Sequence, residues 1–131
     1  MNVYARVAHS YQRNAVDTGS PLHLVVLLYD GAIRFFRMSA KAHREGKNEE
    51  ARQYLLRAEQ IVLELLHSLN FEQGGEIAAN LAELYRFIIG RCAELTATNY
   101  EQVIEENCRI LSGLRDAWAQ IAQGTNGYTS S

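Results

Sequence analysis

Between Pro21 and Glu45 the strongly polar side chains fall at His23, Asp30, Arg34, Arg37, Lys41 and Arg44, at spacings of 7, 4, 3, 4 and 3. Those intervals draw one narrow stripe down an α-helix. Most of the rest is apolar or small, from Leu22 through Val25, Val26, Tyr29, Ala32, Ile33 and Phe36 to Ala40. A helix with one thin polar stripe is covered on most of its circumference. Ser20 and Pro21 read as N-cap and first helical residue, and Gly46 as the residue that ends the helix.

Three further periodic stretches follow. From Asn48, read as an N-cap with Glu49 and Glu50 in the first turn, the apolar positions are Ala51, Tyr54, Leu55, Ala58, Ile61, Val62, Leu65, Leu66 and Leu69. Leu56 and Leu63, seven apart, lie off that stripe on a second, thinner line. The glycine-ended NFEQGG at 70–75 reads as a break. A third helix is expected from about Glu76 to Thr98, with Ile77, Leu81, Leu84, Tyr85, Ile88, Cys92 and Leu95 on its inner face. Thr98 and Glu101 have capping-box spacing for a fourth helix, which carries Val103, Ile104, Ile110, Leu111, Leu114, Trp118 and Ile121 and is expected to end at Gly124. Trp118 is expected to be largely buried. No stretch alternates as a strand would.

The pattern predicts an all-α fold, an antiparallel four-helix bundle with an additional short N-terminal cap segment, helical or extended. The expected divisions are the cap at 1–19, the bundle at 20–124 and a disordered tail at 125–131. Val3, Tyr4, Val7 and Tyr11 give the cap an apolar side, too short to fold alone.

Composition narrows the function. The chain has 131 residues, 47% apolar and 21% charged, with a formal net charge of -2. That balance fits one globular domain and points away from nucleic acid and from anionic membranes. The start lacks the apolar core of a signal peptide, and no apolar run reaches membrane-spanning length. Cys92 and Cys108 are not spaced as a metal or redox motif and read as reduced, buried thiols of a cytoplasmic protein. A phosphate-binding glycine loop, GxSxG and HExxH are all missing.

Among the histidines, His23 and His43 read as solvated. His67, in LLHSLN near a helix end, has one different reading as the reactive group of a phosphotransfer bundle. Glu64 and His67 have the spacing of a di-iron ligand pair, but only once. Arg34, Arg37, Lys41 and Arg44 form a cationic line that suits a solvated face or an acidic partner.

The informative excess is apolar. Leu24, Leu27, Leu28, Phe35 and Met38 form a second apolar line on the first helix, to which Leu56 and Leu63 add. The N-terminal segment together with a central placement of that helix, a homodimer seam or a groove for a partner's amphipathic helices would each cover it.

The ordered residues also carry a resemblance. Tyr11-Gln12, Val16, Thr18, Ser20-Pro21, Leu24 and Leu28-Tyr29-Asp30-Gly31-Ala32-Ile33 open it. Ala58-Glu59, Ile61-Val62, Glu64-Leu65, Ser68-Leu69-Asn70, Gly74-Gly75-Glu76-Ile77-Ala78, Asn80-Leu81 and Leu84-Tyr85 continue it, and Arg115-Asp116-Ala117-Trp118 closes it. From about Tyr4 to Gln123 the chain resembles the flagellar secretion chaperones. Gly19 departs from the alanine often found there. The resemblance implies a cytosolic, non-enzymatic bundle that uses neither ATP nor metal. It implies binding of flagellin's C-terminal segment, protection from premature polymerisation, and delivery to the export gate. The expected groove residues are Leu24, Leu27, Leu28, Phe35, Leu56 and Leu63, with Val7 and Tyr11 as cap or export-gate contacts.

Overall fold

The computed structural model describes the backbone of residues 21–130 and the side chains of residues 23–120. Four helices fill it: α1 (Pro21–Arg44), α2 (Asn48–His67), α3 (Phe71–Ala93) and α4 (Tyr100–Ser130). No strand occurs among the described residues. The all-α bundle is as the periodicity predicts. Val7, Tyr11, the rest of the cap segment and the Ser20 cap lie outside the described residues.

α1 packs against α2 on one side and α4 on the other, and α3 closes the square diagonally opposite α1. The central position of α1 accounts for most of its apolar circumference. Val25, Val26, Tyr29, Ala32, Ile33 and Phe36 are all buried. Small residues let the backbones of α1 and α2 come close. Ala32 and Ala58 are fully buried, and the Ser39 hydroxyl donates to the Ala51 carbonyl at 2.6 Å. α3 approaches its neighbours less closely. Large side chains stand there instead: Leu65 of α2, Tyr85 and Ile88 of α3, and Leu111 of α4 are all completely buried.

The turns show how the chain reverses. At the end of α1 the Gly46 amide bonds the His43 carbonyl at 3.1 Å and the Lys47 amide bonds Ala42 at 2.8 Å. Those are the paired bonds of a Schellman motif, with Gly46 at φ 77° as the left-handed residue it requires. The motif uses Lys47, so α2 starts at once. Lys47 stands at the N-cap without a side-chain cap bond, and Asn48 is already helical rather than capping.

The 70–75 stretch is more than a break. The Asn70 side chain caps α3 by accepting the Gln73 amide at 3.0 Å. One turn forms, and Gly75 at φ 51°, ψ −124° kinks the helix before it resumes. α3 then ends at Ala93, five residues before the expected Thr98. The capping box sits two residues earlier than predicted. Thr96 and Asn99 satisfy each other's backbone amides, at 2.6 and 3.2 Å. Glu101 is thereby free to pair with Arg44 at 2.7 Å. The α4 backbone runs on through Gly124 to Ser130, past the expected end at Gly124.

Two glycines should respond oppositely to alanine. Gly75 holds a backbone conformation that L-residues rarely adopt, so Gly75→Ala should cost about 1–3 kcal/mol. Gly90 lies in α3 with nothing within 4 Å of an added Cβ, so Gly90→Ala should stabilise by up to about 1 kcal/mol. Urea melts of the two variants measure both.

Candidate functional site: an apolar groove between α3 and α4

Because α3 stands off, its seam with α4 stays open. A cleft of ≈ 580 Å³ lies there, lined by Leu84 and Phe87 of α3 and by Ile110, Gly113 and Leu114 of α4, with Glu106 and Arg109 at its edge. A second cleft of ≈ 240 Å³ continues it toward the start of α3, between Ile77, Leu81 and Trp118. Two large side chains are left in solvent along this seam, Ile77 at 70% and Phe87 at 50% exposure. From Ile77 to Arg91 the groove spans fifteen residues of α3, about 20 Å at the helical rise.

Both ends are tied. At one, Arg91 bridges Glu106 of α4 at 3.0 Å and Glu94 at 3.3 Å. At the other, the Trp118 indole N–H donates to the Tyr29 hydroxyl at 3.2 Å. The Tyr29 and Tyr85 hydroxyls meet in a hydrogen bond across the core. Trp118 is therefore half-buried, not largely buried as expected: one edge serves the core and one wall faces the groove. Ile77, expected on the inner face, is the most exposed of the large apolar side chains described. The Gly75 kink lies two residues before it.

The residues expected to line a groove are spread over two other surfaces. Leu24, Leu28 and Phe35 are half-buried, and Leu28 and Phe35 pack on the core. The Phe35 ring stacks on Tyr54 of α2 at 6.3 Å, flanked by the guanidinium groups of Arg34 and Arg57, each 5.7 Å away. Leu27, Leu56 and Leu63 are exposed. None of the six lines either α3–α4 cleft. Sequence reasoning missed Phe87, although it falls off the inner stripe of α3 as an unpaired aromatic. That is the same signal that singled out Leu56 and Leu63 on α2.

The titratable groups offer little chemistry. His67 is the exposed last residue of α2. His43 is not simply solvated: its ring lies flat on Tyr100, centroids 4.0 Å apart. Burial raises the half-buried Glu59 carboxyl above its ordinary value. Among the described residues no group of three or more His, Cys, Asp or Glu is placed to hold a metal. No described helix is long and apolar enough to cross a membrane.

The family model described as flagellar protein FliS matches residues 4–125 of the chain. The flagellar secretion chaperone FliS of Salmonella typhimurium is 34% identical over 123 residues, covering 93% of this chain and 89% of the relative. Its counterpart in Bacillus subtilis is 30% identical over 114 residues, 87% and 84% of the two chains. That of Campylobacter jejuni is 31% identical over 113 residues, 86% and 88%.

Both cysteines are free and buried, as expected. Burial, with the nearby Glu59 charge, pushes the Cys92 thiol up to about 12. Burial pushes Cys108 up to about 11, against the opposing pull of Arg37. An unfolded thiol ionises near the ordinary 9.0. Above that pH the folded state holds protons that the unfolded state releases. The thiols' contribution is thus complete below about pH 9 and is lost progressively as pH rises toward their folded values. Urea midpoints should therefore fall above about pH 9, and Cys92→Ala/Cys108→Ala should flatten that fall. A thiol-reactive dye should label neither cysteine until the protein unfolds.

Proposed function

The chain belongs to the FliS family of flagellar proteins, the flagellar secretion chaperones, and from that premise we propose that its α3–α4 groove holds the C-terminal segment of flagellin. Bound there, in the cytoplasm, flagellin is kept from premature polymerisation and passed to the flagellar export gate. The observation that carries this reading is the apolar groove itself, with Ile77 and Phe87 left in solvent beside Leu84, Ile110 and Leu114. An amphipathic helix laid along about 20 Å of seam would cover these side chains with anchors at helical spacing.

The energetics favour an apolar surface. A segment that folds as it binds loses conformational entropy, and buried apolar area must offset that loss. Fully burying a Phe or Ile is worth about 1.5–3 kcal/mol, so several half-exposed anchors in one groove supply a useful part of the sum. Leu27, Leu56 and Leu63 extend the apolar surface over α1 and α2, beside Leu24, Leu28 and Phe35. A segment of about 40 residues, enough for two or three short helices, could reach from the groove to these positions. Val7 and Tyr11 would serve as cap or export-gate contacts.

The test is calorimetric titration of the full chain with flagellin, intact and lacking its last ~40 residues. Intact flagellin should bind and the truncated form should not. Phe87→Asp and Ile77→Asp place a charge in the proposed contact. Both positions are exposed, so the variants should keep the parent's helical circular dichroism while binding at least about tenfold more weakly. Unchanged binding by both would remove the groove from the reading. Leu56→Asp and Leu63→Asp report separately on the α2 surface.

A further inference from the structure

The outward side of α1 presents a surface that the groove does not use. Asp30 is the only carboxylate on α1. It stands four residues before Arg34, where it would pair along the helix, yet Arg115 of α4 holds it at 2.9 Å. Arg44 is likewise taken by Glu101. Arg34, Arg37 and Lys41 remain, exposed and three and four residues apart. Among the described residues, none of the three has a carboxylate within salt-bridge distance. Arg34 lies over the Phe35 ring, a contact that orients but does not neutralise.

Like charges at these intervals repel and weaken a helix. Here they are concentrated on one face of a chain whose net charge is -2. The face is not purely polar. A cleft of ≈ 340 Å³ runs between Arg34, Arg37 and Lys41, with half-buried Met38 and the edge of Ile33 in its lining and the Arg115-paired Asp30 at one end. Cations at helical spacing around an apolar cleft match an amphipathic helix bearing carboxylates at the same spacing.

The chain's own remaining segments do not supply that charge. Residues 1–20 carry Arg6 and Arg13 against the single Asp17, and residues 121–131 carry no charged side chain. We propose that the outward face of α1 is a second docking surface, separate from the flagellin groove, for an acidic amphipathic helix of another protein. Arg34, Arg37 and Lys41 pair with its carboxylates, and Met38 meets its apolar side.

The experiment uses the full chain and a dye-labelled helical peptide of about 18 residues, its glutamates spaced alternately three and four apart beside leucines. A twin peptide carries glutamine at the same positions. In fluorescence anisotropy the glutamate peptide should bind at least about tenfold more tightly than its twin, the sum of three modest surface pairs. Added salt should weaken it. Arg34→Glu/Arg37→Glu/Lys41→Glu should abolish the preference, and the milder Arg34→Gln/Arg37→Gln/Lys41→Gln should do so with less strain on folding. Arg37→Gln/Lys41→Gln, which leaves the Arg34–Phe35 contact intact, should bind flagellin as the parent does, which separates this surface from the groove. Equal binding of the two peptides, or a preference that survives both triple variants, would overturn the proposal. So would a uridine oligonucleotide that binds the parent more tightly than the glutamate peptide does. Self-association of the parent that either triple variant abolishes would assign the face to a second copy, whose α3 exposes Glu72, Glu76 and Glu83, and would equally overturn it.

Discussion

Two tyrosine rings set the architecture. Tyr29 of α1 and Tyr85 of α3 are completely buried, and their hydroxyls meet across the middle of the bundle. A buried hydroxyl without a partner is costly, and each of these hydroxyls supplies the other with one. Two rings placed end to end also span the diagonal, and they prop α3 away from α1. Where alanine, glycine and serine line the contact, as between α1 and α2, the helices close up. Where the prop stands, they cannot. The open α3–α4 seam follows from this spacing, and Trp118 belongs to both: its N–H completes the tyrosine pair and its ring walls the groove.

The bundle thus presents different chemistry on different sides. α1, sunk between α2 and α4, shows solvent mainly a narrow line of cations. α3, held at a distance, shows Ile77, Phe87 and the carboxylates of Glu76 and Glu83. The apolar face of a helix normally disappears into its neighbours. In α3 part of it stays outside because, among the described helices, none comes near enough to take it. An exposed apolar strip of this kind marks a surface meant to be covered, and membership of a secretion chaperone family gives that cover a reason.

Much of this was legible in the sequence, because a 3.6-residue period needs no tertiary information. The inner stripe of α2, the end of α1 at Gly46 and the all-α class all come from spacing and turn chemistry. What spacing cannot give is the distance between helices. Leu24, Leu28 and Phe35 looked surplus on α1, yet all three are half-buried, Leu28 and Phe35 pack on the core, and Tyr54 of α2 stacks on Phe35. Ile77 looked internal and is the reverse, since the face it shares with Leu81 opens into the groove. The caps failed for a related reason. Asn48, Asn70, Thr96 and Thr98 are all competent caps, and which one works depends on turns already fixed by neighbouring hydrogen bonds.

The central claim is that flagellin's C-terminal segment occupies the seam left open by the tyrosine prop. Hydrogen–deuterium exchange of the full chain, with and without that segment, reads it most directly. Backbone amides at 76–91 in α3 and 106–118 in α4 should gain protection on binding. Protection confined to α1 and α2, with the α3–α4 amides exchanging as in the free protein, would contradict the account.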